Sequence, residues 1–409
     1  MNRSIQNNIN TIYLLGFFQS FMVVIPVFVP LLQGYGLSMS QVLQTQALFA
    51  LTIALCEVPS GYLADLWGRR RAILVGSALN GIGFLSLLWA DSFVDFLVYE
   101  FILGVGFSLI SGADLALLYD TEVYLAEEDL PGGAGAGKSL SRLISVEAAA
   151  SGIAGIAASL LLLSSMDAVV YLQALTGLVP AVLALRLVEV PRPAVVEGHR
   201  GNARRIVELL LFGKPVVLWT AAAIAVFGLL AVYIFWIYPK YWEQQGIPVA
   251  MYGYIWAAFA LIVSIAARYA STLEQRIGTR PLLALIGILP LIGMAGMLFG
   301  SGWGGVAFGF AVQAARGLSM SLFYEGLNSR VPGDFRATLN SLVSLAVRGV
   351  FIVTGPLLGL ALDSYGVNST LLLLLVVFTP LVALVLVPLV MRIRREIDAE
   401  KPELAPAAF

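Results

Sequence analysis

Charged residues are scarce in this chain. Asp, Glu, Lys and Arg make up 12% of its 409 residues, about half their usual share in soluble domains. Apolar residues make up 59%, and the mean hydropathy is +0.89. Apolar runs of about 20 residues, the length that crosses a bilayer, recur along the chain. The sequence therefore predicts a polytopic membrane protein rather than two or three soluble domains.

Cysteine and histidine are almost absent. The single cysteine, Cys56, excludes an internal disulfide and a thiolate metal cluster, and we interpret it as a packing residue in a helix. The single histidine, His199, lies in a connecting stretch, and the sequence has no His-Glu-x-x-His pattern. We therefore expect no metal site, no cofactor and no intramembrane enzyme.

Three further classes of protein find little support. The stretch from Gly132 to Ser139 has the spacing of a nucleotide-binding loop, but no strand precedes it, so we interpret it as a flexible linker without direct ATP drive. No soluble stretch is long enough for the signalling domain of a transporter-derived sensor. Neither half contains the repeated pore loop of a channel.

Twelve spans follow from the apolar runs. Their connections are short except for 120–138 and 189–214, and the second of these divides the chain into two halves of six spans. The predicted spans are 11–33, 40–62, 72–91, 94–119, 139–164, 168–188, 216–239, 249–272, 281–300, 304–327, 337–362 and 369–391.

The lysines and arginines predict the orientation of these spans. Of the lysines and arginines outside the predicted spans, all but one lie in alternate connections and the two tails, whereas the opposite connections hold only Lys240. Because cytoplasmic loops attract lysine and arginine, both termini are expected in the cytoplasm and the chain in the inner (plasma) membrane. The acidic connection after Asp120 is the exception.

The two halves repeat short motifs in the same order. Predicted boundaries are an N-terminal bundle (1–188), a central loop (189–215) with a short amphipathic helix at 203–212, a C-terminal bundle (216–392) and a tail (393–409). The segments 63–70, 118–120 and 140–145 parallel 273–280, 323–325 and 339–344. Parallel halves with a site between them are typical of alternating-access transporters.

The connection between the second and third spans carries the most specific motif, Gly-x-x-x-Asp-x-x-Gly-Arg-Arg. It consists of Gly61, Asp65, Gly68, Arg69 and Arg70. The motif resembles the loop 2–3 signature of the major facilitator superfamily, and with the run 111–120 and Gly-Pro-x-x-Gly at 355–359 the resemblance covers the whole chain.

The resemblance implies an all-α membrane fold of twelve helices in two pseudo-symmetric six-helix bundles, acting as a monomer. It also implies that spans 1, 4, 7 and 10 line a cavity, and that spans 2 and 11, and 5 and 8, meet across the halves.

Two departures from the family pattern argue against a standard drug–proton antiporter. Glu100 stands where those proteins carry arginine, and span 139–164 contains no proline.

Seven charged residues lie well inside the predicted spans, where an ion costs several kcal/mol without a partner, a wet cavity or a function. They are Glu57, Glu100, Asp114, Glu147, Arg268, Arg316 and Arg348. Depths estimated from the helical rise predict that Glu147 pairs with Arg268 and Glu57 with Arg348, as gates on the cytoplasmic side. The alternative is that each charge satisfies a neighbour within its own half.

Asp65 is a further gating candidate. We expect its carboxylate to accept backbone donors at the start of span 11 and to pair with Arg69 or Arg70, which would hold the halves together on the inside. Leu66 stands where the family usually has a basic residue, and Arg71 is the candidate substitute.

A face of span 4 is the main candidate for solute binding. Glu100, Phe107 and Asp114 recur at spacings of seven, which places them on one side of a helix. Span 10 places Arg316 near the midplane, with Gln313 on the same side. A cavity with Glu100 and Arg316 suits a zwitterionic or anionic solute, and an internal ion pair is the alternative.

Other spans offer further contacts. Tyr233 and Trp219 are candidates for stacking on an organic solute, and Gln19 is a candidate polar contact. The aromatic residues from Trp236 to Trp242 are interpreted mainly as an interfacial belt.

Proton coupling falls to the carboxylates, because arginine stays charged at any working pH. Asp114 and Glu100 are the candidates, and the alternative for Asp114 is that it pairs with Arg142 and braces spans 4 and 5. The sequence thus predicts a secondary transporter of a small organic solute, coupled to protons, with export favoured by the resemblance. The alternatives are an importer of a zwitterionic or anionic metabolite and a transporter-derived sensor. The expected partners are the solute, protons and the lipid bilayer, and no nucleic acid.

Overall fold

The structure, a computed structural model, describes residues 2–128, 135–191 and 215–400. Within these ranges every regular element is a helix, and two short 3-10 helices, Ile25–Val27 and Val249–Met251, precede α2 and α11. The α-helices are α1 Asn2–Ser20, α2 Phe28–Gly34, α3 Met39–Trp67, α4 Arg69–Ser86, α5 Phe93–Ile110, α6 Ala113–Glu127, α7 Ala136–Leu162, α8 Met166–Gly177, α9 Val179–Ala184, α10 Pro215–Gln244, α11 Tyr252–Ile277, α12 Thr279–Phe299, α13 Gly302–Asn328 and α14 Gly333–Glu400.

Two long helices begin at capping boxes. Before α3, Ser38 Oγ accepts the backbone N–H of Gln41 at 3.2 Å, and Gln41 Oε1 accepts the N–H of Ser38 at 3.0 Å. Ser92 and Asp95 make the same reciprocal pair before α5, at 3.3 and 3.1 Å. Because each box satisfies donors that a helix leaves free at its first turn, these serines define where the chain turns back into the helix.

Two predicted spans are interrupted near their middle. In the first span α1 ends at Ser20 and α2 begins only at Phe28, with Pro26 between them; proline lacks the N–H that a continuous helix needs. In the fourth span α5 ends at Ile110 and α6 begins at Ala113, because Gly112 adopts a φ of 85°. The sequence analysis gave no sign of the second interruption.

Membrane-crossing length is reached by many of these helices. Within the described residues, ten segments are long and apolar enough to cross a membrane. The segment Thr338–Glu396 covers two predicted spans, and the non-helical backbone of Gly366, with a φ of 76°, divides α14 there. Helix α4 occupies the place of the predicted third span but is not among the ten. The number twelve stays a prediction.

The contacts divide the chain into two compact units. The first unit comprises Met1–Val195, Phe235–Leu261 and Arg348–Thr370, and the second comprises Val196–Ile234, Ile262–Val347 and Leu371–Phe409. The first unit thus contains parts of α10, α11 and α14 together with the N-terminal helices. The division of the chain at 188 and 216 stays a prediction.

Each unit has its own apolar core. In the first unit α1 packs against α6, α7 and α9, with Ile5, Ile12 and Leu117 fully buried among them. In the second unit α12 packs along α13, and Leu282 and Ile286 are buried in a core that extends to Leu389 near the end of α14.

The long connection at 120–138 is more helical than expected. Helix α6 continues to Glu127, and α7 begins at Ala136. The buried carboxylate of Glu122 joins the two, because it accepts the N–H of Gly135 at 3.0 Å and the hydroxyl of Ser139. Residues 129–134 and the predicted amphipathic helix at 203–212 lie outside the described residues.

Helices α4 and α5 cross at two glycines. A Cβ atom added to Gly76 would lie 2.7 Å from the carbonyl oxygen of Gly106, and one added to Gly106 would overlap the side chain of Asn80. Only glycine lets the two backbones approach this closely, as is common where membrane helices pack.

We predict that Gly106→Ala lowers the thermal stability of the detergent-solubilised protein, because the added methyl group overpacks this crossing by about 1–3 kcal/mol. The matched control is Gly152→Ala in α7, where an added Cβ would meet no atom within 4 Å. The control is expected to melt at the wild-type temperature or slightly above it. Equal melting temperatures for the two variants would show that the crossing tolerates a side chain.

Candidate functional site

A cavity of about 380 Å³ lies within the first unit, and we call it the Glu100 cavity. Its wall is mostly apolar and aromatic, with a few polar groups, which is the usual character of a small-molecule site. The lining residues are Met22, Val24, Ile25, Phe28, Gln46, Phe49, Ile53, Phe84, Tyr99, Glu100, Leu103, Phe107, Ser111, Trp236 and Arg348.

Both interrupted spans reach this cavity at their breaks. Met22, Val24 and Ile25 come from the stretch between α1 and α2, and Ser111 from the stretch between α5 and α6. Irregular backbone is tolerated at membrane depth only where protein or a water-filled cavity satisfies its polar groups. The side chain of Gln173 in α8 does so for one of them, since its Oε1 accepts the N–H of Val24 at 3.3 Å.

The carboxylate of Glu100 is the most deeply buried acidic group of the cavity, with 4% of the residue exposed. Its Oε1 accepts a hydrogen bond from the side-chain amide of Gln46 in α3. No described residue donates to its Oε2. A buried carboxylate with one unused oxygen beside open space is suited to bind a cationic group or a proton.

Aromatic rings line the same cavity in two groups. The rings of Phe28 and Tyr99 lie 6.2 Å apart, and Trp236 lies 6.1 Å from Phe28. Phe49 and Phe107 form the second group, with ring centroids 5.8 Å apart. Because these contacts fix the rings against one another, the wall of the cavity is preorganised.

The interfacial interpretation of the aromatic residues in α10 is wrong. Trp236 lines the cavity at 8% exposure, and Tyr238, Tyr241 and Trp242 are at most 1% exposed. Trp242 packs against Tyr252 at the start of α11, with centroids 5.0 Å apart. These rings are buried in protein rather than displayed to a membrane surface, because the start of α11 covers them.

One arginine also reaches the cavity. Arg348 in α14 donates through Nη1 to Glu57 Oε2 in α3 at 2.7 Å, and each side chain is about a third exposed. The structure thus contains the pair expected for spans 2 and 11. Arg348 lies in the wall of the same cavity as Glu100.

The helical stripe of span 4 is only partly retained. Glu100 and Phe107 line the same cavity, as their spacing predicts, but Asp114 does not line it. The break at Gly112 separates α5 from α6, so the spacing of seven residues does not carry through to Asp114.

Asp114 caps the start of its own helix. Its Oδ1 accepts the N–H of Leu115 at 2.7 Å. The alternative pairing with Arg142 is not formed within the described residues, because Arg142 lies over the ring of Tyr13 at 5.3 Å. Glu147 in α7 interacts electrostatically with Asp114, and its carboxylate lies close to Gly16 of α1.

The loop between α3 and α4 is held by residues that the sequence analysis did not single out as partners. Arg69 forms an ion pair with Asp120 of α6 and donates to the carbonyl oxygen of Ala116. Glu189 accepts the backbone N–H groups of Arg69 and Arg70 at 2.9 Å each, and so caps α4. Asp65 is exposed at the end of α3.

The opposite end of α3 is capped by Asp363 of α14. Its two carboxylate oxygens accept the N–H groups of Met39 at 2.9 Å and of Ser40 at 2.8 Å. Gly359, one turn earlier, approaches so closely that an added Cβ would lie 2.5 Å from the Cα of Ser40. We call this set of contacts the Asp363 cap.

Several predicted site residues lie away from this cavity or in the second unit. Gln19 does not line the cavity, and its buried side-chain nitrogen has no hydrogen-bond partner among the described residues. In the second unit Tyr233 packs edge-on against Phe378, Trp219 packs against the apolar core, and Gln313 is buried. Arg316 is half-buried and Arg268 is exposed.

The pairing of Glu147 with Arg268 joins residues of different units and stays a prediction. The binding roles of Arg316, Gln313, Tyr233, Trp219 and Gln19 also stay predictions.

Four residues with structural roles here were not predicted from the sequence. Gln46 and Trp236 line the cavity, and Glu189 and Asp363 cap helices. Gln46 was open to prediction, because a glutamine inside an apolar span needs a buried partner. Asp363 and Glu189 lie near the ends of spans, where acidic residues are usually solvated. Their positions in the sequence therefore did not indicate that they cap helices.

Comparisons with known proteins agree on one family. Residues 11–350 match the Major Facilitator Superfamily. Among solved structures, the nucleoside transporter NupG aligns with a TM-score of 0.72 at 11% identity, covering 96% of this chain and all of that one.

A D-xylose–proton symporter aligns with a TM-score of 0.72 at 15% identity over 94% of this chain and 96% of its own. A bacterial homologue of the human lysosomal transporter Spinster aligns with a TM-score of 0.65 at 16% identity over 96% and 95%. At such low identity these likenesses show the fold alone. The sequence match covers most of the chain, however, and the chain therefore belongs to the Major Facilitator Superfamily.

Proposed function

We propose that this protein is a secondary active transporter that moves a small organic solute by alternating access, with protons as the coupling ion and export as the direction. The observation that carries the proposal is the Glu100 cavity, where two interrupted helices and a buried carboxylate meet in a chain of a transporter family. Broken helices around a site near the midplane are a recurring feature of secondary transporters. Export rests on the resemblance of the motifs.

Proton coupling is proposed for Glu100, with Asp114 as the second candidate. Both are acidic, and the arginine in the cavity stays charged. Glu100 is held by a neutral amide rather than by a cation, so no fixed positive charge prevents it from taking up a proton.

Gating is proposed for the two contacts between α3 and α14. The Glu57–Arg348 pair lies beside the cavity on its predicted cytoplasmic side, and the Asp363 cap lies at the predicted outer end. Alternating access requires that such contacts form and break in turn, since a site open to both sides at once would leak.

The orientation and location follow the distribution of lysine and arginine. We place both termini in the cytoplasm and the chain in the inner membrane as a monomer. In this orientation Lys240 lies at the outer end, where its Nζ donates to Glu243 at 2.9 Å and to Gln33 at 3.4 Å.

The second candidate function is import of a zwitterionic or anionic metabolite. It is favoured by one observation, the presence of both Glu100 and Arg348 in the wall of the same cavity. A zwitterion would place its own cation near Glu100 and its anion near Arg348.

Solute-driven proton movement tests the proposal. Purified protein in liposomes loaded with a pH-sensitive dye is challenged separately with amines, amino acids, organic acids, sugars and nucleosides. We predict that at least one class changes the internal pH for the wild type and that Glu100→Gln abolishes the change, because glutamine cannot exchange a proton.

Glu127→Gln is the matched control, since Glu127 is exposed at the end of α6 and outside the cavity. It is expected to behave as the wild type. A wild type that moves none of these solutes, or a Glu100→Gln variant that still moves protons with solute, would overturn the proposal.

We predict that Glu57→Gln and Arg348→Gln each slow solute exchange several-fold, and that the double variant Glu57→Arg with Arg348→Glu recovers most of the rate. The pair is about a third exposed, so its contribution is about 1 kcal/mol or less. Initial rates in liposomes, normalised to the amount of folded protein, measure the effect. Unchanged exchange rates in both single variants would show that the Glu57–Arg348 pair is not a gate.

We predict that Asp363→Asn favours separation of α3 from α14 at the predicted outer end. Asparagine offers a single neutral oxygen to the two N–H donors, and each lost charge-assisted bond at a helix N-terminus is worth about 1 kcal/mol, a shift of roughly fivefold in population. Distances between spin labels at two exposed positions, Tyr35 just before α3 and Tyr365 in α14, in a Cys56→Ser background, report the change.

Asp167→Asn serves as the control for this experiment, because Asp167 is exposed in the first turn of α8 and contacts neither helix. A distance distribution that is the same in Asp363→Asn, Asp167→Asn and the parent protein would exclude the Asp363 cap as a gate.

A further inference from the structure

We propose that the Glu100 cavity selects organic cations that carry one positive charge on an aromatic body. This inference deepens the proposed function, on which it rests for transport, while binding can be measured without transport. It differs from the zwitterionic or anionic solute that Glu100 and Arg316 suggest, which stays the alternative.

The charge of the cavity is the first argument. Glu100 is held only by the neutral side chain of Gln46, and no described residue donates to its second oxygen. The one arginine in the wall, Arg348, is already paired with Glu57 at 2.7 Å. When Glu100 is ionised, the charge left without a protein counterion is therefore negative, and a cationic ligand supplies the missing partner.

The helix ends at the cavity have opposite signs. Helices α1 and α5 end beside it, so the carbonyl groups of their last turns lie at the negative ends of their dipoles, whereas α2 begins at the lining residue Phe28 with its positive end. The positive end of α6 is covered by the carboxylate of Asp114, which accepts the N–H of Leu115. The preference for a cation therefore rests on the side chains.

The aromatic wall distinguishes a cation from an anion. The faces of aromatic rings are electron-rich and attract ammonium groups. Phe28, Tyr99 and Trp236 are fixed against one another beside Glu100, so the rings need no rearrangement when a ligand enters. The same rings repel a carboxylate, and they offer stacking to an aromatic body of either charge.

A set of ligands that share one aromatic body tests the charge preference. Phenethylamine, phenylalanine, 3-phenylpropionate and 2-phenylethanol differ mainly in being cationic, zwitterionic, anionic and neutral. Calorimetric titration of each into the full-length protein in detergent, at pH 7, gives its affinity. We expect phenethylamine to bind at least about tenfold more tightly than the other three, and equal or tighter binding of phenylalanine or 3-phenylpropionate would overturn the inference.

Variants then assign the preference to the cavity. Glu100→Gln is expected to weaken phenethylamine binding at least tenfold while leaving 2-phenylethanol within about twofold, and Glu127→Gln is expected to change neither. Trp236→Leu is expected to weaken phenethylamine roughly 2- to 30-fold, the range of a cation–π contact, and Trp236→Phe to restore most of it.

The conservative Trp236→Phe variant keeps the test valid if Glu100→Gln does not fold. Retention of the full preference for phenethylamine in a folded Glu100→Gln protein would overturn the inference. So would an equal loss in Trp236→Leu and Trp236→Phe.

Transport is measured in a separate experiment. Exchange of labelled phenethylamine across liposomes tests the proposed function with the same ligand. Tight binding without exchange would contradict secondary transport and leave the charge preference standing. Exchange of a different solute class without binding of phenethylamine would support secondary transport and contradict the charge preference.

Discussion

A single buried carboxylate is the main electrostatic constraint on the cavity of the first unit. Glu100 lies in a largely aromatic cavity with one neutral hydrogen-bond donor, Gln46, and an ionised group in such surroundings costs several kcal/mol. That free energy must be offset by a proton, by a bound cation or by water in the cavity. A site with this property alternates naturally between occupants, which is what coupling a solute to a proton requires.

The cavity exists because two helices fail to continue. Pro26 interrupts the first span and Gly112 the fourth, and both breaks face the same space. In a membrane a broken helix is stable only if its free backbone groups find partners, and here Gln173 and Asp114 supply two of them. The irregular backbone and the polar side chains that support it are therefore parts of one arrangement.

The contacts between α3 and α14 explain how such a cavity is bounded. Ser40 and Glu57 are 17 residues apart, and Arg348 and Asp363 are 15 apart, which correspond to roughly 25 and 23 Å of helix. The two antiparallel helices are thus joined at matching positions, by an exposed cap at one end and by a half-exposed ion pair beside the cavity. Neither contact is buried enough to be strong, which suits the gating role proposed for them.

Much of the fold was predictable from the amino-acid sequence. The scarcity of charge, the recurring apolar runs and the motif from Gly61 to Arg70 predicted a helical membrane protein of this superfamily, and the family match and the fold confirm it. The spacing of Glu100 and Phe107 predicted that they face the same space, because one uninterrupted helix joins them. The helix-length pattern did not predict the break at Gly112, since a glycine inside an apolar run has no local signal for its φ angle.

The sequence by itself determined that this chain is a membrane protein, that it is helical, and that its spans contain charged side chains whose burial costs free energy. Only the tertiary structure decided which charges meet. Arg348 lies in the wall of the cavity with Glu100, the carboxylate of Asp363 accepts the N–H of Ser40, 323 residues away in sequence, and Trp236 lines the cavity. The physical reason is that helical periodicity fixes directions within one helix, whereas the partner of a side chain depends on how separate helices pack.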